Sequence, residues 1–63
     1  MTNRIKQLRL ERGWTQKELG SRFKKTKSPE LISRWENDVS VPSALSLMEL
    51  SKIFDVPFAE MFD

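Results

Sequence analysis

The chain of 63 residues contains no cysteine and no histidine. Without cysteine, neither a disulfide framework nor a thiolate metal site can form. Without histidine, the commonest general base and the commonest metal ligand are both missing. No apolar run approaches the ~18 residues needed to span a membrane. The basic start MTNRIKQLRLERG is followed by no apolar signal region. Strand-like alternation, low-complexity segments and internal repeats are absent as well. Catalysis by carboxylates or lysine is not excluded, but so short a helical chain has little room for a pocket. The expectation is one small cytoplasmic domain that is not an enzyme, holds no metal or cofactor and enters no membrane. Its apolar core lies near the lower limit for folding alone.

The net charge is only +2, and its distribution says more. Residues 1–27 carry nine bases and two acids, hence +7, whereas residues 28–63 carry two bases and seven acids, hence −5. The first half is the part a polyanion such as DNA would meet. A pair of solvated basic helices would produce the same imbalance.

Apolar spacing and capping signals predict helices throughout. A first helix spans about 3–12, with Ile5 and Leu8 on one face, and Gly13 supplies a left-handed stop. A second spans about 15–24. It opens on TQKE, where Thr15 and Glu18 have the spacing of a capping box, and it buries Leu19 and Phe23. The stretch SPELISRWEN predicts a third over about 28–37, capped by Ser28, with Pro29 where no intrahelical hydrogen bond is lost. Ser43 caps a fourth that runs to about Phe54 with Leu47, Leu50 and Phe54 inward. PFAEMF, residues 57–62, predicts a short fifth. The fold class is therefore all-α, a compact five-helix domain over residues 1–63 with no internal boundary.

The second and third helices, joined by the polar segment KKTK, have the pattern of a helix-turn-helix. At about 100° per residue, Leu31, Ile32 and Trp35 form the inner face of the third helix, with Glu36 on its flank. Pro29, Glu30, Ser33, Arg34 and Asn37 point the other way. If this face reads DNA, Arg34 can fork onto guanine O6 and N7. Ser33 can donate or accept. Glu30 can accept from a cytosine amino group or orient Arg34 one turn later. Pro29 cannot hydrogen-bond a base, but it can touch a thymine methyl or a sugar. A solvated ion pair is the plain alternative for Glu30 and Arg34. Lys24, Lys25 and Lys27, in or beside the turn, can lie along phosphates or simply form a solvated basic loop. Amides at the starts of the second and third helices can also hold phosphate. Trp14 and Trp35 sit at spacings that suit the core better than base stacking.

RIKQLRLERGWTQKELGSRF, then ISRWEN, then VPSALSLMELSKIFDVPFAEMF resemble the phage-repressor and Cro family of helix-turn-helix domains, the XRE type. The likeness runs from about Arg4 to Phe62. It implies that the third helix enters the major groove while the second lies across the backbone. It also implies that Glu36 pairs with Arg9 inside the protein, leaving only Glu30 as an acid on the reading face. By the same resemblance, the Thr15–Gln16 position touches phosphate through the glutamine, and Asn37 matches another phosphate-contacting position.

The chain departs from the family in its turn, which holds about two extra residues and no glycine. It departs again after Asn37, where Asp38 replaces the usual glycine; aspartate tolerates the left-handed conformation better than most residues. The following loop, DVSVP, lacks basic residues, which argues against a minor-groove arm.

The expected function is sequence-specific binding of double-stranded DNA as a transcriptional regulator, a repressor of phage or mobile-element type. A protein-interaction module that keeps the fold is the alternative, and steep salt dependence would separate the two. One helix in one groove contacts few base pairs, so a two-fold dimer on DNA is expected. Leu45, Met48 and Ile53 are left less securely buried. Phe58, opening the fifth helix, is the candidate for a weak subunit contact.

Overall fold

Most helices of the computed structural model, which describes residues 3–62, begin at a side-chain oxygen that takes an otherwise orphaned amide. Helix α2 (Gln16–Ser21) starts from Thr15, whose hydroxyl accepts from Glu18 N while Glu18 reaches back to Thr15 N, completing a capping box. Ser28 accepts from Leu31 N at the head of α3 (Pro29–Glu36), and Ser43 accepts from Ser46 N at the head of α4 (Ala44–Phe54). Helix α1 (Ile5–Glu11) has no such cap at Arg4; Asn3 Oδ1 accepts from Ile5 N instead. Among the described residues, Gly13 (70°), Asp38 (58°) and Asp55 (55°) have positive φ. Gly13 and Asp55 follow the ends of α1 and α4, where the chain must reverse.

The core takes Ile5 and Leu8 from α1, Leu19 from α2, Ile32 and Trp35 from α3, and Leu47, Leu50 and Phe54 from α4. Phe23 and Met61, outside the α-helices, complete it. Phe23 packs on Trp35 with ring centroids 5.8 Å apart. Trp14 stacks on Phe54 at 5.9 Å, and the Arg22 guanidinium covers its ring at 3.8 Å. Both tryptophans thus belong to the packing. Among the described residues, no helix is long and apolar enough to cross a membrane.

Two expected elements are shorter than their sequence signals. The fifth helix is a single 3-10 turn, Phe58–Met61, so the described residues form four α-helices and one such turn. The chain cannot continue as a helix because Phe62 becomes extended to bridge Asn3, while Arg4 N donates to Met61 O at 2.8 Å. Helix α2 ends at Ser21 rather than near 24. There Lys24 N leaves the helical ladder for Glu49 Oε1 on α4, at 3.1 Å.

Candidate nucleic-acid interface

Helices α2 and α3 are joined at Gly20. The turn between them folds back so that Lys27 N donates to Gly20 O at 3.0 Å. A Cβ at Gly20 would lie 2.1 Å from the Lys27 carbonyl oxygen, and 3.7 Å from Ile32 Cγ1. A glycine is thus required by close backbone approach, but within α2 and not in the turn. The extra residues of the turn bulge outward between two fixed points, Lys24 held by Glu49 and Lys27 held by Gly20.

A second joint lies at the far end of α3. Arg9 Nε donates to Glu36 Oε2 at 2.6 Å and Arg9 Nη2 to Glu36 Oε1 at 3.2 Å, a forked pair between α1 and α3. The two side chains are 9% and 2% exposed. Arg9 Nη1 donates to Trp14 O at 2.8 Å, and Gln16 Nε2 donates to Glu36 Oε1 at 3.1 Å. One carboxylate therefore collects donors from α1 and α2, and Glu36 is turned into the protein, away from the outward face of α3.

The outward face of α3 carries Glu30 and Arg34, both exposed, with Pro29 and Ser33 half-buried beside them. Among the described residues neither Glu30 nor Arg34 has an ion-pair partner, so the solvated pair between them is not formed. Asn37 Nδ2 donates to Ser33 O at 2.8 Å and to Ser33 Oγ at 3.3 Å, closing the end of the helix. The Ser33 hydroxyl thus accepts from Asn37 and keeps its own proton to donate.

The expected phosphate residues fall into separate groups. Thr15 is exposed and its hydroxyl, which accepts within the capping box, retains its proton. Gln16 has one amide hydrogen committed to Glu36 and another remaining. Lys24, Lys25 and Lys27 do not lie beside Gln16. Together with Arg22 and Lys52 they line a groove against the outer side of α4. Phe58 is half-exposed and packs against Phe62 at 5.5 Å.

Sequence reasoning missed several residues that hold this arrangement. Asn3 Nδ2 donates to Trp35 O at 2.7 Å and to Asp38 Oδ1 at 2.9 Å, pinning the end of α3. Arg12 donates to Leu8 O and to Phe54 O, so one guanidinium serves the last carbonyls of two helices. Glu49 anchors the turn. Apart from the Arg12 bond to Leu8 O four residues back, these contacts have no local spacing signal.

No curated protein and no solved structure matches the chain significantly. The helix-turn-helix family model matches residues 5–61, from the first residue of α1 to the last of the 3-10 turn. The locked α2–α3 pair, flanked by α1 and α4, is that family's architecture, and the chain belongs to the XRE-type (Cro/C1-like) helix-turn-helix family of DNA-binding transcription regulators.

Proposed function

We propose that this domain is a repressor of phage or mobile-element type that binds a two-fold operator in duplex DNA. The observation that supports it most is the pair Glu30 and Arg34, exposed and unpaired on the outer face of a helix that is fixed at both ends. An arginine without an internal partner is available to fork onto guanine O6 and N7 in the major groove. Glu30 accepts from a cytosine amino group, Ser33 donates its free proton, and Pro29 lies against a thymine methyl or sugar. Thr15, Gln16, Lys24, Lys25, Lys27 and Asn37 take phosphates, which set affinity and register but carry no sequence information. Asn37 does so by exchanging its longer bond, to Ser33 Oγ at 3.3 Å, for a phosphate oxygen. Two copies meet weakly through Phe58 and the adjoining 3-10 turn, mainly when both occupy DNA. The repressor acts in the cytoplasm, where that DNA is.

Selection of binding sites from random duplex DNA, repeated at two salt concentrations, tests this reading. The expected result is a palindrome with half-sites about 34–36 Å apart, bound with an affinity that falls steeply as salt rises. Failure to enrich any sequence, or binding indifferent to salt, would exclude it.

A further inference from the structure

The side of the molecule formed by the turn and α4 has a composition that phosphate contact does not explain. A groove of about 650 Å³ runs between them. Its rim carries Arg22, Lys24, Lys25, Lys27 and Lys52, and its one carboxylate, Glu49, already accepts from Lys24 N. Apolar side chains share the lining with Ser43 and Ser46: Leu45 is 73% exposed, Met48 55%, and Ile53 is half-buried. Leu45, Met48 and Lys52 recur at intervals of three and four, so they form one stripe along α4. An exposed apolar pair set among these cations suits a partner that offers apolar and acidic groups together.

We infer that this groove docks an acidic amphipathic helix from a protein partner, its apolar side on Leu45 and Met48 and its carboxylates on Arg22, Lys24, Lys25 and Lys52. The charge selects the occupant. A second copy meeting the groove across a two-fold axis would set the same five cations against one another. Nucleic acid would satisfy the cations but leave the leucine and methionine against phosphate and sugar. An acidic helix with apolar residues every third or fourth position satisfies both. Methionine adapts its shape to such a partner at low cost. This inference does not rest on the DNA reading. Lys24 and Lys25 figure in both, so the test is run without DNA and either can fail alone.

The probe is a synthetic peptide with leucine at every third or fourth position and glutamate on the remaining face. The controls are a peptide of the same composition with the leucines scattered, and poly-glutamate. Amide chemical shifts of the domain should move at 22–27 and 45–53 and stay still along the outer face of α3. Leu45→Ser with Met48→Ser should weaken binding by at least about tenfold, because two buried apolar side chains are lost. Those residues are exposed, so the variant should stay folded, with only the small loss that serine's lower helix propensity brings. Lys24→Gln with Lys25→Gln should weaken binding by a similar factor, and poly-glutamate should bind weakly and ignore Leu45 and Met48. Equal binding of the scattered peptide, shifts on α3, or no binding at all would overturn the proposal. So would sedimentation showing a dimer that Leu45→Ser with Met48→Ser dissolves, which would assign the face to a second copy.

Discussion

Replacing Glu36 by glutamine changes one atom and should remove much of the domain's stability. The carboxylate accepts from Arg9 Nε, Arg9 Nη2 and Gln16 Nε2 at 2.6–3.2 Å. A glutamine oxygen can keep part of this, but its amide then points N–H groups at the N–H groups of the guanidinium. Arg9 is left charged, nearly buried and short of an acceptor. Breaking one side of a buried pair costs about 3–5 kcal/mol. A domain of 63 residues has a total stability of about 3–9 kcal/mol at typical values per residue. The substitution should therefore lower the melting temperature by about 12 °C or more, and in a marginal background it should unfold the domain. Thermal and urea unfolding followed by circular dichroism measure this. Arg9→Met with Glu36→Met should be more stable than Glu36→Gln alone, because the double change strands no charge. Loss of the Arg9 bond to Trp14 O keeps it below the parent. A drop under about 5 °C for Glu36→Gln, worth roughly 1 kcal/mol, would refute the reasoning, as would strictly additive single substitutions.

Arg34→Ala should cost about 1–3 kcal/mol and relax preference at one base pair, whereas Lys25→Ala should weaken all sequences alike and lower the salt slope by about one. A uniform loss for Arg34→Ala, seen in competition binding, would place Arg34 on phosphate instead. Gly20→Ala gains helix propensity worth about 1 kcal/mol but drives a methyl into the Lys27 carbonyl, so a net destabilisation of about 1–3 kcal/mol is expected. Unchanged urea unfolding, with amide shifts displaced at 24–28, would show that the turn gives way freely. Phe58→Ser should abolish cooperative binding to a palindrome while costing the monomer only the exposed ring's contact with Phe62, about 0.5–1.5 kcal/mol. Intact cooperativity in a folded variant would move the subunit contact elsewhere.

The helix starts were legible because their signals are local. Thr15, Ser28 and Ser43 each cap an amide three residues on, a distance that sequence displays directly. The core followed from apolar periodicity, down to the inward set of Leu47, Leu50 and Phe54 on α4. The ends were less legible where distant groups decide them. Glu49, 25 positions away, ends α2 early by taking Lys24 N, and Asn3 turns Phe62 out of the last turn. Within the site, a helical wheel separates Glu30 and Arg34 from Ile32 and Trp35 without help. The Arg9–Glu36 pair is different, because charge alone allowed Glu36 any of eleven bases. The choice came from resemblance to a family. The apolar stripe of Leu45 and Met48 was visible as insecure burial, but its basic rim was not. Lys24 and Lys52 become neighbours only once the turn lies against α4.

Because the turn is fastened on both sides of its bulge, by Glu49 at Lys24 and by Gly20 at Lys27, its contour length is decoupled from the pose of α3. Doubling a flexible loop costs only about 0.6 kcal/mol in closure entropy. Insertions around Lys25 and Thr26 are therefore expected to leave the pose of α3 on the protein unchanged. They change only what the lysine-bearing bulge touches. The reach of the bulge and the pose of the recognition helix are thus separate variables of one fold.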